Sequence, residues 1–253
     1  MQQSDLTIII PCYNEYNRLP KAAFTTFLKN TPKASICFVN DCSSDDTLLV
    51  LEDLKLVFPD QVFLISNPKN SGKAASVRNG VLYCSLHKTA KNLAYLDADL
   101  ATSLEECFYY VRYLKDGKKF VFASRILKIG SVVERRFSRF LFGRIIATFI
   151  SSLLDIKVYD TQCGCKVFNT DLSEILFKKP FLSKWLFDVE LFSRLLCFYG
   201  KKDALELMEE IPVKKWVDVG DSKVKLSYAF KLWIDLFKIK KTHQKNYKAY
   251  LKN

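Results

Sequence analysis

Residues 93–100 read LAYLDADL, an apolar run of strand length that ends on two carboxylates, Asp97 and Asp99. Because alternate side chains of a strand point to the same face, residues i and i+2 can share one metal ion. Carboxylate oxygens suit Mg²⁺ or Mn²⁺, with substrate phosphate oxygens completing the coordination shell. Asp is common at strand ends and turns, so the pair is informative only in its context.

Strand-like runs recur along the first half of the chain, and helix-length segments separate most of them. They cover residues 6–10, 36–39, 62–65, 93–96 and 120–123. This alternation predicts an α/β fold with a mostly parallel, doubly wound, Rossmann-like sheet flanked by helices. Ligands of such sheets bind beyond the carboxyl ends of the strands, where this chain carries its polar clusters PCYNE, NDCSSDDT, NPKNSGK, DAD and SR.

The length of 253 residues and the absence of repeats, low-complexity stretches or Pro/Gly linkers favour one domain over 1–253. The amino-terminal stretch MQQSDLTIIIPCYNE has no basic region and only a short apolar run, unlike a signal or transit peptide, so a cytoplasmic location is expected. The eight scattered cysteines are expected to be reduced thiols. Cys163 and Cys165 form C-x-C rather than paired C-x-x-C, which disfavours structural zinc.

A formal net charge of +12 indicates an anionic partner, although a basic face that only aids solubility is the alternative. The charge is concentrated in 118–144, with eight Lys/Arg against one Glu, and in 214–253, with eleven Lys against three Asp. The chain lacks helix-turn-helix, RRM and zinc-finger signatures, so nucleic acid is not expected to be the partner. Phosphorylated substrates and acidic lipid headgroups are the remaining candidates for the anionic partner.

Two apolar segments of helix length carry basic residues. The first, 140–156, is interrupted by Arg144 and is too short for a confident membrane span, so a buried or interfacial helix is expected. The second is a basic amphipathic C-terminal helix within 226–253, whose apolar face is formed by Leu226, Ala229, Phe230, Trp233, Ile234 and Phe237. Its lysines are Lys225, Lys231, Lys238, Lys240 and Lys241. This face either packs on the core or lies on an anionic membrane surface.

Several motifs surround the two aspartates: PCYNEYNRL, FVNDCSSDDT and NSGKAASVRNG precede DADL. In order and spacing they resemble the P-x-Y-N-E, (D)D-x-S-x-D-x-T, G-K-x-x-x-x-R-x-G and D-A-D-L motifs of family 2 glycosyltransferases. ASRI at 123–126, YDTQCGCKVF at 159–168, WLFDVEL at 185–191 and WVDVGDSKV at 216–224 are similar to dolichyl-phosphate β-glucosyltransferases and, more loosely, to dolichyl-phosphate mannose synthases. The resemblance implies a GT-A fold, inversion at the anomeric carbon and a UDP-sugar donor, with UDP-glucose favoured.

The resemblance assigns donor binding to residues 1–100 and the acceptor side to 101–225. By resemblance, the nucleotide-sugar-binding residues are Pro11, Tyr13, Glu15, Asn40, Asp41, Lys73, Arg78, Asp97 and Gln162. Asp41 would bond the base, Lys73 and Arg78 would face the uracil or diphosphate, and Gln162 would contact the sugar or its phosphate.

Two positions leave alternatives open. Asn40 replaces the first Asp of the usual pair, which keeps an acceptor oxygen but removes a charge and adds a donor. Asn40 and Asp41 could instead cap the turn that follows their strand. Asp160 could contact the donor or brace its own loop.

An inverting transfer must stabilise the negative charge that grows on the leaving diphosphate, and a cation at Asp97 and Asp99 would do so. A hydroxyl acceptor also needs a general base, for which Asp188 is the first candidate and Glu190 the second. Asp188 could instead cap or pin the start of a helix. If it is the base, the enzyme would be a soluble one that acts on a glycan hydroxyl.

A phosphate acceptor is already ionised near neutral pH and needs cations rather than a base. Candidate cations are Arg125, Arg135, Arg136, Arg139 and Lys223, since Arg in particular grips phosphate bidentately. The resemblance favours this acceptor in the form of a dolichyl or undecaprenyl phosphate, which would place a peripheral enzyme at the cytoplasmic membrane face. A non-catalytic nucleotide-sugar sensor would need neither the metal pair nor an intact FDVEL.

Overall fold

The strands of the computed structural model, which describes residues 4–134, 137–217 and 228–244, agree with the predicted apolar runs. They are β1 (Ser4–Cys12), β2 (Ala34–Asn40), β3 (Val62–Ser66), β4 (Ala90–Tyr95), β5 (Phe120–Ser124), β6 (Val132–Glu134), β7 (Lys166–Asn169), β8 (Met208–Pro212) and β9 (Lys215–Val217). The first five cover the five runs expected from the sequence, except that β4 ends at Tyr95, one residue before the end of the run 93–96. Strands β7 and β8 were not predicted.

Helices alternate with the strands, as the sequence pattern indicates. They are α1 (Lys21–Asn30), α2 (Thr47–Val57), α3 (Lys73–Leu86), α4 (Leu104–Tyr109), α5 (Phe137–Leu154), α6 (Ser173–Phe177), α7 (Phe187–Tyr199), α8 (Lys201–Leu207) and α9 (Tyr228–Gln244). Short 3-10 turns cover Tyr110–Tyr113 and Thr170–Leu172. Residues 226–227 and 245–253 of the expected C-terminal helix lie outside the described part of the chain.

The main sheet has seven strands in the order β3-β2-β1-β4-β7-β5-β8, and β6 pairs with β9 in a separate ribbon. Strand β7 runs antiparallel to both β4 and β5, while the other neighbours in the large sheet are parallel. The sheet is therefore mostly parallel, as predicted. Because β7 runs the opposite way, its first residue, Lys166, lies at the edge where β4 and β5 end.

Alternation along β1 divides the core into two layers. Ile8 and Ile10 pack with α1, α2 and α4 on one face of the sheet, whereas Ile9 packs with α3 and α7 on the other. All three side chains are fully buried. A sheet that is covered on both faces reads as a continuous apolar run, which explains the sequence LTIII.

Helices α5 and α9 pack outside this core, against α7. Their contact includes Ile150, Val189, Leu236 and Ile239, all buried. The rings of Phe149 and Trp233 meet edge to face with centroids 4.1 Å apart. The two apolar segments of the sequence therefore form one additional helical layer.

Gly80 permits close packing of α3 on the sheet, because a Cβ there would lie 2.6 Å from Ile9 Cγ2 and 2.9 Å from Val39 Cγ2. We expect Gly80→Ala to lower the free energy of unfolding by about 1–3 kcal/mol through overpacking. Gly143→Ala in α5, where a Cβ meets nothing within 4 Å, serves as the control. It should raise that free energy by up to about 1 kcal/mol through helix propensity. Urea unfolding measures both, and a stabilising Gly80→Ala would contradict the packing.

Candidate active site

A cavity of about 520 Å³ opens at the carboxyl edge of the sheet, where the polar clusters follow the strands. Its lining comes from the ends of β1, β2 and β4, the start of α3 and the segment before α7. The lining residues are Pro11, Cys12, Tyr13, Glu15, Arg18, Asp41, Asn70, Gly72, Lys73, Ser76, Asp97, Ala98, Asp99 and Trp185. Seven residues of the predicted donor site are therefore brought together here.

Asp97 and Asp99 both line the cavity, but not for the reason of strand alternation. Strand β4 ends at Tyr95, so the two aspartates lie in the turn that follows it. The expectation that they extend a strand was wrong. The turn is closed by a hydrogen bond from the Ala101 backbone N–H to Asp99 Oδ1 (3.1 Å) and by Leu100, which has a φ of 51°.

The electrostatics of the carboxylate pair suit a cation. Burial and then the neighbouring Asp97 carboxylate raise the pKa of Asp99, so its anionic form is disfavoured without a counter-charge. Asp97 Oδ1 is 2.5 Å from Lys73 Nζ, and 40% of the Asp97 side chain is exposed. Two oxygen donors that repel each other at an open cavity form a donor set that Mg²⁺ or Mn²⁺ fits.

Gly164 lies against the same carboxylate. A Cβ at this position would be 2.3 Å from Asp97 Oδ2 and 3.0 Å from Asp97 Cγ. With Asp97 in its present conformation, only glycine fits at this point of the DTQCG loop. This contact joins the second half of the chain to the donor side of the cavity.

Asp41 organises the floor of the cavity. Its carboxylate accepts hydrogen bonds from the backbone N–H groups of Ser71 (2.9 Å) and Gly72 (2.7 Å) and from Asn67 Nδ2 (2.8 Å). Asn40 does not line the cavity, because its side chain accepts from the Ser43 backbone N–H (3.1 Å) and caps the turn. The capping alternative therefore describes Asn40, whereas Asp41 pins the loop that leads into α3.

The start of α3 presents Lys73 to the cavity. Gly72 precedes the helix with a φ of +85°, a conformation that favours glycine. Arg78 points elsewhere, because its Nη2 donates to the carbonyl of Lys178 at 2.5 Å. The structure thus brings Lys73 to the candidate site but does not bring Arg78 there.

Tyr13 and Glu15 occupy the loop after β1, opposite the α3 loop. The Tyr13 side chain is partly exposed, and Glu15 Oε1 accepts from Arg18 Nη2 at 2.7 Å. The Glu15 backbone N–H donates to Thr47 Oγ1 at 2.8 Å, which fixes this loop to the start of α2. These residues form one wall of the cavity.

Arg125 and Asp160 form a partly buried ion pair, in which the side chains are 22% and 8% exposed. Asp160 Oδ2 accepts from Arg125 Nε at 2.6 Å, and Oδ1 accepts from Nη2 at 2.8 Å. Burial alone would raise the pKa of Asp160, but the Arg125 guanidinium outweighs it and lowers that pKa to about 2. Asp160 Oδ1 also accepts from the Gln162 backbone N–H (3.0 Å), so Asp160 braces its own loop.

Asp188 is buried and does not line the cavity. Its Oδ1 accepts from Tyr95 Oη (2.6 Å) and from Lys166 Nζ, and it makes no side-chain cap at the start of α7. Glu190, the second candidate base, is fully buried and pairs with Arg194 at 2.7 Å. Both carboxylates therefore serve buried networks in this structure.

The remaining acceptor candidates are not placed. Arg135, Arg136 and Lys223 lie outside the described residues, as does the side chain of Arg139. The roles assigned to these four cations stay predictions.

Seven lining residues were not predicted: Cys12, Arg18, Asn70, Gly72, Ser76, Ala98 and Trp185. All seven stand inside motifs quoted above, so membership of a motif was the available signal. Trp185 stands two residues before FDVEL, and only the tertiary structure shows that it reaches the donor side.

Comparison with known proteins identifies the family to which this α/β fold belongs. Residues 7–177 match the family model described as glycosyl transferase family 2. The chain therefore belongs to glycosyl transferase family 2 and is a glycosyltransferase. This confirms the family inferred from the motifs.

Two relatives of this chain are dolichyl-phosphate beta-glucosyltransferases. The chain is 32% identical over 250 residues to the dolichyl-phosphate beta-glucosyltransferase ALG5D of Trichomonas vaginalis, covering 92% of this chain and 72% of the relative. It is 31% identical over 250 residues to the dolichyl-phosphate beta-glucosyltransferase of Saccharomyces cerevisiae, covering 88% and 70%.

Solved structures confirm the GT-A fold. The glucosyl-3-phosphoglycerate synthase of Mycobacterium tuberculosis, in complex with Mn²⁺, UDP-glucose and phosphoglyceric acid, aligns with a TM-score of 0.70. The alignment covers 94% of this chain and 80% of that chain at 12% identity. At this identity the likeness concerns the fold alone.

We expect Gly164→Ala to damage the site more than the fold. The added methyl group must displace the Asp97 carboxylate, which can rotate at low cost to stability but then leaves its position as a ligand. Affinity for UDP in the presence of Mn²⁺ should fall about 10- to 100-fold, the usual range for disturbed support of a metal ligand. Calorimetric titration measures this, and Gly143→Ala is the matched control. Wild-type affinity in Gly164→Ala would refute the contact.

Proposed function

We propose that this glycosyltransferase moves glucose, with inversion, from UDP-glucose to a polyprenyl phosphate at the cytoplasmic membrane face. The observation that carries the proposal is a connection: Trp185, which lines the cavity with Asp97 and Asp99, is hydrogen-bonded through Ser183 to Asp235 of α9, a helix that forms an exposed apolar surface together with α5. The names of the relatives support the acceptor class, since they are dolichyl-phosphate beta-glucosyltransferases. The donor is supported by the family and by a fold neighbour solved with UDP-glucose.

Asp97 and Asp99 would hold Mg²⁺ or Mn²⁺, whose charge would offset the negative charge of the diphosphate. Lys73 adds a positive charge at the same wall of the cavity, 2.5 Å from Asp97 Oδ1. The first amides of α3 lie next to it, and the amino terminus of a helix favours anions. The chain's own residues thus favour a diphosphate leaving group beside the carboxylate pair.

Gln162 has the chemistry of a ligand contact. Its Nε2 is buried and has no hydrogen-bond partner among the described residues. A buried amide donor without an acceptor is costly, and an oxygen of a bound sugar or phosphate would satisfy it. Gln162 does not line the cavity described above, so the unsatisfied Nε2 is the observation that supports the role assigned to Gln162 by the resemblance.

The contacts of Asp188 favour a phosphate acceptor over a hydroxyl. A general base must lie within hydrogen-bond reach of the proton that it removes. The side chain of Asp188 is only 6% exposed, and Tyr95 and Lys166 both donate to its Oδ1. An acceptor phosphate requires no such base, so a buried Asp188 is compatible with it.

The apolar surface consists of Leu141, Ile145 and Phe149 on α5 and Trp233, Ile234 and Phe237 on α9, and we refer to these residues as the α5–α9 face. All six side chains are exposed, up to 64% for Phe237. Lys238 and Lys241 of α9 are also exposed. An exposed apolar patch with basic neighbours has the composition of a surface that lies on anionic lipid.

The α5–α9 face is connected to the cavity through the segment before α7. Asp235 of α9 accepts a hydrogen bond from Ser183 Oγ at 2.7 Å, and Ser183 Oγ accepts from the Trp185 backbone N–H at 3.3 Å. Trp185 lines the cavity. We propose that this connection links lipid bound at the α5–α9 face to the donor in the cavity. Among the described helices, none has the length and apolarity needed to cross a bilayer.

We expect UDP release from UDP-glucose to require both a divalent cation and polyprenyl phosphate. The assay compares UDP-glucose with GDP-mannose as donor, and polyprenyl phosphate with the unphosphorylated polyprenol and an oligosaccharide as acceptor. Asp99→Ala should remove turnover and metal-dependent UDP binding while the circular dichroism spectrum stays unchanged, because the carboxylate is assigned to the cation and otherwise, in the ranges that the structure describes, accepts only from the Ala101 backbone N–H in its own turn.

Each arm of this assay has a distinct negative result. Faster turnover with GDP-mannose would overturn the donor, and near wild-type rates of Asp99→Ala at saturating metal would overturn the metal site. Transfer to the oligosaccharide but not to polyprenyl phosphate would replace the proposal with the soluble enzyme that uses Asp188 as a base.

We expect the protein to float with anionic liposomes and to do so less as salt rises, because screening weakens the attraction of its basic residues to the surface. Leu141→Ser/Ile145→Ser should reduce recovery at every salt concentration by removing apolar area. Leu56→Ser/Leu86→Ser, at exposed leucines of α2 and α3, is the matched control and should float like the wild type.

Recovery that is equal on neutral and anionic liposomes at all salt concentrations would exclude the electrostatic contribution. Equal loss in the two double variants would exclude the α5–α9 face as the membrane-facing surface.

A further inference from the structure

Lys166, the first residue of β7, is a fully buried lysine next to the candidate site. Its ammonium group donates to the carbonyl oxygens of Thr161 (2.9 Å) and Cys163 (2.5 Å) and to Asp188 Oδ1. An ammonium group has three N–H donors, and here each has an acceptor. The Tyr95 ring lies 5.6 Å from Lys166 Nζ, and the Tyr95 hydroxyl binds the same carboxylate oxygen.

The two carbonyls that Lys166 binds stand on either side of Gln162. Fixing them fixes the backbone on both sides of the residue with the unpartnered Nε2. The next residue after Cys163 is Gly164, whose backbone backs the Asp97 carboxylate. One buried ammonium group therefore determines the course of the loop that carries both the candidate sugar contact and the support of the candidate metal ligand.

Stability alone does not account for a charge in this position. A buried ion pair can often be replaced by apolar residues of similar volume without loss of stability, because desolvation offsets the attraction. What an apolar residue does not supply is three directed donors that hold two carbonyls and a carboxylate in one geometry. The network therefore specifies a loop conformation rather than adding to the core.

We propose that Lys166 is a positioning residue: it holds residues 161–164 so that Gln162 and Gly164 face the donor and Asp97, with Asp188 as its counterion. The role of residues 161–164 in donor binding rests on the proposed function, whereas the position of this loop can be tested independently of it. It also gives Asp188 a role other than that of a general base.

The test uses the full chain with Lys166→Met/Asp188→Asn, which removes both charges and so leaves no buried charge unpaired. Asp188→Asn alone keeps the bonds of Lys166 to the two carbonyls. Leu172→Ala, at a fully buried site beyond the opposite end of β7, provides a destabilised control. The measurements are the melting temperature, amide hydrogen exchange of 161–165, the affinity for UDP with Mn²⁺, and kcat and KM for UDP-glucose.

We expect the double variant to stay folded, to exchange the amides of 161–165 faster than the wild type, and to bind UDP with Mn²⁺ about 10- to 100-fold more weakly. Leu172→Ala should show neither change despite a lower melting temperature, and Asp188→Asn should lose less affinity than the double variant. Unchanged exchange in the double variant, or an equal loss of affinity in Leu172→Ala, overturns the proposal. A wild type without metal-dependent UDP binding refutes the proposed function instead, and the exchange result still decides whether Lys166 holds the loop.

Discussion

The parallel pairing of β1 with β2 and β4 is the constraint from which the rest of the site follows. In this register Ile8 and Ile10 face one core layer while Ile9 faces the other, and a shift of one residue would exchange them. Because both faces are buried, polar residues are confined to the strand ends. The same pairing therefore secures the core and brings the loops after three strands to one edge.

The part of the fold that depends on local pattern was predictable, and the part that depends on β7 was not. The five predicted runs are apolar and flanked by turn residues, which identifies strands in one sequence. β7 has only four residues, KVFN, and begins with a buried lysine. Its reversed direction brings Lys166 beside Tyr95 across the sheet, a pairing that no local signal announces.

The candidate site divides in the same way. Asp41, Lys73, Asp97 and Asp99, which motif spacing assigns to one site, line one cavity, although the two aspartates lie in a turn rather than on a strand. Sequence pattern did not show where long side chains point: Arg78 reaches the Lys178 carbonyl, and Arg125 is engaged by Asp160. The sequence shows where a charged side chain occurs. Only the tertiary structure shows which carbonyl or carboxylate that side chain contacts.

The packing of helix α9 explains why its sequence is compatible with two roles. Leu236 and Ile239 pack in the core while Trp233, Ile234 and Phe237 are exposed, so the helix is apolar on two sides. The sequence pattern places Trp233, Ile234 and Phe237 on one apolar face, which could either pack on the core or lie on a membrane surface. In the structure the core needs only Leu236 and Ile239. In the proposed function, the exposed residues contact lipid. The Asp235–Ser183 hydrogen bond connects α9 to the segment whose Trp185 lines the cavity.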